Sequence, residues 1–303
     1  MHFARSDEQQ ELATIVRSLL TKRADSAAVR AAAESDAGYD VALWQALCEQ
    51  VGVAALPVPE EYDGVGASLV ETAIVLEELG RSLAPHPLLS SAVSVARLLL
   101  EGTDDERAER LPRIAAGEVP SLTLGTVVLE PAERSPAMDP ALRIGVADPA
   151  ADPTVEIAAV AAALVSAEQV GVMQRGLDMT VGYAGERVQF GRPIGSFQAI
   201  KHRLADLLVL LEASRSASWA ATYAAAAYLG RPDADHRAVL LERAAVARSY
   251  CTDALDRVAS ETIQLHGGIA ITWEHDAHLV FKRAHSLAHL LEPAHVARAR
   301  LLG

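Results

Sequence analysis

Two cysteines, Cys48 and Cys251, in 303 residues exclude a disulfide framework, and each lies in a helical apolar context that suits a buried free thiol. Aromatic residues are scarce at 4%, so alanine and leucine supply most of the apolar half of the chain. That balance favours packed helices over sheets. Positive charge is also short: 27 Lys and Arg face 40 Asp and Glu, for a formal net charge of -13. A chain so acidic repels nucleic acid and anionic membranes, and any bound anion needs a local cluster of cations. Long apolar runs are missing too. Ile157 to Val165 is the longest, with Glu168 close behind, and "MHFARSDEQQEL" has no apolar signal core. These absences predict a cytoplasmic protein. What is present, 50% apolar and 22% charged residues, is the composition of a globular chain.

Helical signals dominate the first part. Ser6 with Gln9 three residues later is a capping-box spacing, and Gly52 sits where "YDVALWQALCEQVG" should close in a glycine cap. "ALPVPEEYDGVGAS" is a Pro/Gly loop, and helices follow in "LVETAIVLEELGRSL", "HPLLSSAVSVARLLLEG" and "DDERAERLPRIAAGE". Near Gly117 the pattern shifts to β-branched runs and prolines, which predicts a few short strands or an extended linker. Helical spacing returns after Pro153: Ile157, Val160, Ala161 and Leu164 share one face, then Ile200, Leu204, Leu207, Leu208 and Leu211. A third long helix runs to about Leu265, "HGGIAIT" breaks it, and "WEHDAHLVFKRAHSLAHLLE" carries the last helix. The expected architecture is mainly α: an N-terminal helical domain over 1–118, a reduced β or linker segment over 119–154, and a C-terminal four-helix bundle over 155–303.

Two stretches carry residue types that a plain bundle does not need. In "ERVQFGRPIGSFQAIKHRLAD" a helix ends near Arg187, Phe190 and Gly191 follow, and a new helix restarts with Phe197 and Gln198, then Lys201, His202 and Arg203. Arginine offers a planar fork of donors for phosphate, phenylalanine a flat face for a base, glycine room for close approach, and a helix N-terminus favours anions. The plain alternative is an ordinary helix–turn–helix with a solvated arginine. In "QLHGG" a helix ends at Gly267 and Gly268 after Gln264, Leu265 and His266. That pattern is either a simple glycine cap or a set of exposed amides facing a polar ligand.

Together the two stretches resemble the acyl-CoA dehydrogenase family, through "RVQFGRPIGSFQAIKHRLAD" and, one long helix later, "QLHGGIAITWEHDAHLVFKRA". "WQALCEQVGVAALPVPEEYDGVGAS" and "VLEELGRSLAPHPLL" are similar to the same family's N-terminal helices and loop, so the resemblance covers most of the chain. It implies FAD-dependent removal of two hydrogens from an acyl-CoA thioester: a carboxylate takes the α-proton and the flavin takes hydride from the β-carbon. It also implies that Arg187, Gln189, Phe190, Phe197 and Gln198 reach across a subunit interface to the pyrophosphate and adenine end of FAD held mainly by the neighbour. Gln264, Leu265, His266, Gly267 and Gly268 match the second FAD-contacting segment.

This chain departs from the family pattern twice. The family's β-rich middle domain is reduced to about Ser121–Thr154, without its Thr-Glu-Pro and Gly-Ser-Asp signature; "LEPAERSP" stands as a remnant. The catalytic base is also out of place. Counting from Gly267 puts Leu291 at one family location, with Glu292 one residue late and Pro293 after it. The other location falls on Ala161, with Glu156 and Glu168 near it but at other helical angles. Both departures resemble the helper chains of paired, unlike steroid-side-chain acyl-CoA dehydrogenases. The leading expectation is a subunit that completes a partner's FAD site. The rivals are a self-sufficient homo-oligomer using Glu292 as base and a non-enzymatic helical scaffold. A metal site is disfavoured: six of ten histidines fall from His266 onward, but "HSLAH" lacks a zincin glutamate, and Glu292 with His295 forms a single Glu-x-x-His. "GVGAS" lacks the third glycine of a dinucleotide loop.

Overall fold

The computed structural model describes residues 5–130, 138–146 and 153–302. Helices α1 (Asp7–Arg23), α2 (Ser26–Glu34), α3 (Val41–Val51), α4 (Leu69–Ser82), α5 (Leu88–Glu101) and α6 (Asp104–Ala115) come first. Their ends are set by sequence. Ser6 and Gln9 form a reciprocal capping box, Asp25 and Asp40 cap α2 and α3, and Gly52 closes α3 in the left-handed conformation. Helix α2 falls within the first segment, which reads as helical throughout, although its own cap and spacing are not among the signals read there.

The middle segment forms an antiparallel meander of β1 (Leu122–Leu124), β2 (Val127–Leu129) and β3 (Ile144–Val146), with Leu122 paired to Leu129 and Val127 to Val146. Leu122, Leu124 and Leu129 are buried, so one face of this small sheet packs on the helical body. Only Leu129 and Glu130 of the proposed remnant fall within the described residues.

The C-terminal part is α7 (Val155–Glu186), a two-residue hairpin of β4 (Val188–Gln189) and β5 (Arg192–Pro193), α8 (Gln198–Gly230), α9 (Ala234–His266), α10 (Ala277–His289) and α11 (Ala294–Leu301). Helix α11 follows Pro293, beyond the element expected to be last. The first turn of α8 is preceded by a 3-10 turn, Ile194–Ser196, and α9 ends in another, Gly267–Ile271.

Helix α7 is the axis of the molecule and packs against α4, α8, α9 and α10. It is apolar on nearly every side, as a helix enclosed by others should be. By length and composition it could cross a membrane, although its uninterrupted apolar run is short; 83% of its most apolar window is buried inside the protein. The crossing with α4 is tight enough to require glycine. A Cβ on Gly171 would lie 2.0 Å from the Glu77 carbonyl oxygen, and one on Gly80 would lie 2.3 Å from that of Glu168. On α8, Leu207 and Leu211 enter the core, but Leu208 is 49% exposed. One residue beyond Leu207 is a turn of about 100°, which carries its side chain off the buried stripe.

Candidate functional site

Helix α7 stops at Arg187, whose backbone N–H donates to the Tyr183 carbonyl at 2.8 Å. Val188 and Gln189 then pair with Pro193 and Arg192. The turn between them is Phe190–Gly191, with φ of 53° and 76°. Two positive φ values suit the right-handed twist of a two-residue hairpin. They are costly for phenylalanine, which holds its ring 93% exposed. The Arg192 guanidinium lies 4.0 Å over the Phe197 ring, and Phe190 meets Phe197 edge-on at 6.2 Å. Phe197 is the N-cap of α8 and provides no side-chain cap, so the first amides of a long helix face outward. Gln189, Gln198, Lys201 and His202 are exposed around this start. Arg187 is exposed and, among the described residues, has no ion-pair partner.

The second stretch lies at the same end of the bundle. Gln264, Gly267 and Gly268 are exposed at the end of α9, and Gly267 takes φ 66° and ψ -145°, a conformation open to glycine alone. Nothing lies within 4 Å of a Cβ built on Gly267 or Gly268, so the backbone there is open to an approaching group. Three contacts tie the stretch to the hairpin end. The Tyr183 ring stacks on His266 with centroids 4.5 Å apart, the Thr180 and Thr262 hydroxyls meet at 3.2 Å, and Arg203 Nε donates to Glu261 at 2.7 Å. Leu265 and His266 are buried beneath this surface, because successive helix positions turn by about 100° and only Gln264 points outward. Burial pushes the His266 imidazole below its ordinary pKa, and nearby His275 adds to the effect.

This donor set fits a dinucleotide. An unpaired arginine and a bare helix N-terminus suit a pyrophosphate. The exposed Phe190 ring and the half-buried Phe197 ring suit a base, the amide side chains of Gln198 and Gln264 suit its polar edges, and the Gly267–Gly268 backbone leaves room.

Glu292 lies elsewhere, between α10 and α11, on the wall of a groove of about 940 Å³. The groove runs between the β1–β2 turn and Ala158, Ala159 and Ala162 of α7, with Leu241 and Ala244 of α9 opposite. The Glu292 carboxylate accepts from Arg300 at 2.6 Å. Its carbonyl accepts from Arg248 Nε at 2.9 Å. Arg248 is 2% exposed and also donates to the carbonyls of Leu287, Ala288 and Leu291, so it caps the end of α10 from inside the protein. Burial lowers its pKa to about 10, which leaves it charged at neutral pH.

At the other family location Ala161 is fully buried and offers no acid. Glu156 is paired with Arg237. Glu168, seven residues from Ala161, shares its helix face two turns on, contrary to the expected angle. It is buried against Arg283 at 2.9 Å, and Arg283 also binds Asp139 at 2.5 Å. Burial raises the Glu168 carboxyl, but His86 and Arg283 beside it outweigh that and hold it below the usual range. Arg248 and Arg283 were not singled out in the sequence. Their only signal there is a cation on the apolar face of a helix.

Residues 6–118 match the acyl-CoA dehydrogenase N-terminal domain and residues 155–290 the acyl-CoA dehydrogenase C-terminal domain. Acyl-CoA dehydrogenase IpdE2 of Mycolicibacterium smegmatis is 42% identical over 327 residues, covering 98% of each chain. Among solved structures, a variant of the steroid ACAD Tcur3481-Tcur3483 superposes with a TM-score of 0.83 at 25% identity, over 97% of this chain and 96% of that one. An acyl-CoA dehydrogenase from Bacillus anthracis, solved in complex with FAD, shares the fold with a TM-score of 0.82 at 15% identity, over 98% of this chain and 66% of that one. Matching domains at both ends, with a relative aligned along nearly the whole length, mean that this chain belongs to the acyl-CoA dehydrogenase family of oxidoreductases.

Proposed function

We propose that this chain is one subunit of an FAD-dependent acyl-CoA dehydrogenase, and that it lends FAD contacts to a partner subunit carrying the catalytic glutamate. One contrast carries the reading. Arg187, Phe190, Gln198 and Gln264 stand exposed and uncommitted at one end, whereas Glu292 is tied to Arg300 and its loop is held by Arg248. The protein thus keeps a surface for one half of a dinucleotide and has no free carboxylate at either family position of the base. A steroid-linked acyl-CoA is the proposed substrate class, in keeping with the steroid relative. That relative's name joins two components, which supports pairing with an unlike chain.

When bound, FAD accepts the hydride that leaves the substrate β-carbon. The residues of this chain bind and orient. Arg187 pairs with a pyrophosphate oxygen, the first amides of α8 share that charge, and Phe190 and Phe197 cover the base. Exposed Val188, Phe190 and Ile271 around the grip become buried against the partner and exclude water from it.

The test is flavin absorbance of this chain purified alone and after co-expression with a full-length family member. The chain alone should be colourless and the complex yellow. Arg187→Ala should lower the complex's affinity for FAD roughly tenfold or more, the scale of one lost charge-assisted hydrogen bond. Full flavin occupancy in the isolated chain, or an unchanged affinity in the variant, would overturn the reading.

A further inference from the structure

We infer that His266 is a positioning residue: its ring, packed in a three-ring cluster with Tyr183 and His275, holds the Arg187–Gln198 segment and the Gln264–Gly268 turn in the mutual register that one dinucleotide requires. The inference rests on the flavin-grip reading above and concerns a side chain that cannot touch the ligand itself, being 3% exposed.

The geometry makes this ring a direct link between the two stretches. On one side it stacks on Tyr183, 4.5 Å between centroids and 27° between planes. The carbonyl of that same Tyr183 anchors the Arg187 N–H. On the chain side, His266 is joined directly to Gly267, the first residue of the open turn. At its edge it meets His275 at 4.5 Å, and His275 in turn lies edge-on to Tyr183 at 6.2 Å, so the three rings form one cluster. A displacement of the ring therefore moves both ends of the grip at once.

Hydrogen bonds fix how the ring sits. Nδ1 lies 2.7 Å from the Thr262 carbonyl oxygen, so the proton is on Nδ1 and donates there. Nε2 is then an acceptor, buried and without a partner. His275 Nδ1 accepts from the Ala277 N–H at 3.2 Å, which puts its proton on Nε2. Tyr183 from α7 and His275 from the turn before α10 are the titratable groups against His266, and Arg175 and Asp276 act on it through His275. A flat, neutral ring fixed by the one hydrogen bond it donates is stiff in a way that an aliphatic side chain is not.

Three variants separate positioning from bulk packing: His266→Ala removes the stack, His266→Phe keeps a ring, and Arg187→Ala strikes the grip directly. Two readouts are taken. One is the rate of FAD release from the co-purified complex. The other is amide hydrogen exchange over Arg187–Gly191 in the isolated chain, which needs no flavin. We expect His266→Ala to speed FAD release about tenfold and to raise exchange in the hairpin, and His266→Phe to stay within about threefold of wild type in both. The inference is overturned if His266→Ala releases FAD at the wild-type rate while Arg187→Ala does not, or if the alanine and phenylalanine variants lose FAD alike. If all three variants hold FAD as wild type does, the grip reading and this inference fall together.

Discussion

Glu292 and Arg248 show how a single side chain decides what its loop can do. A general base must reach the carbon-bound proton it removes, and such a group contributes roughly 100- to 10,000-fold. Here the Glu292 carboxylate is turned to Arg300 on α11, and four carbonyls around the end of α10, including its own, are bound by Arg248. Swinging Glu292 into the groove would break an ion pair and strain a backbone held from beneath. Glu292→Gln keeps the shape and removes the charge. In the co-expressed complex it should change the turnover number by less than about twofold. A loss of 100-fold or more would make Glu292 the base and the chain self-sufficient. The sequence places Glu292 one residue from a family position but says nothing of Arg248, because a buried and a solvated arginine are spelled alike. The thiols were readable in part: both are free, Cys251 is buried but Cys48 only half-buried, and burial pushes them up to about 12 and about 11.

At the level of elements, the helices announced themselves by caps and spacing, and the hairpin announced its position but not its shape. Arg187 and Pro193 mark where α7 ends and the chain turns. The turn itself needs two positive φ values, for which the expected residues are asparagine and glycine. Phenylalanine at the first of them violates that preference, so no rule of turn chemistry could have read it. A residue held at φ 53° against its own preference points to a role for the ring outside the fold. Phe190→Asn should relieve the strain and raise the isolated chain's stability by about 0.5–1 kcal/mol, while weakening FAD retention in the complex. A thermal melt and a flavin titration read the two effects. A variant less stable than wild type would show that the exposed ring supports the hairpin instead. Elements α2 and α11 were not marked off individually for a simpler reason: they are short, and alanine-rich or proline-bounded stretches give a weak apolar period. The placing of Leu265 and His266 beneath the surface is a matter of helix phase, which a motif written as a string does not carry.

The whole molecule is acidic, with a net charge of -13, yet Arg187, Arg192 and Lys201 gather around one helix N-terminus. On such a background a small cationic island both attracts an anionic ligand and marks where it docks. The same end holds the groups that should make the protein acid-labile. Burial lowers the pKa of His266, His275 and His278 below the ordinary 6.5. As pH falls past that value the unfolded chain takes up protons that the folded chain refuses, so stability declines through the window beneath it. Asp276 follows at lower pH. Its burial raises the carboxyl, but hydrogen bonds from Ser26 and Arg30 with the charges of Arg30 and Arg175 hold it below its ordinary 3.8, so that stability is present above that value and lost as pH falls through the folded pKa. Opposing both is the relief of self-repulsion as the net negative charge shrinks toward the pI of about 5.2. The local effect should win, because the three rings are packed into the fold and resist protonation there, whereas dispersed surface charges are screened by salt. In 0.15 M salt the melting temperature of the isolated chain should therefore be level from about pH 8 to 7 and fall steadily below about pH 6.5. His266→Phe should make the fall shallower without abolishing it, since His275 and His278 remain. A melting temperature that holds or rises down to pH 5 would mean that these rings can be protonated in place, and that the end of the bundle is more open to water than its packing indicates.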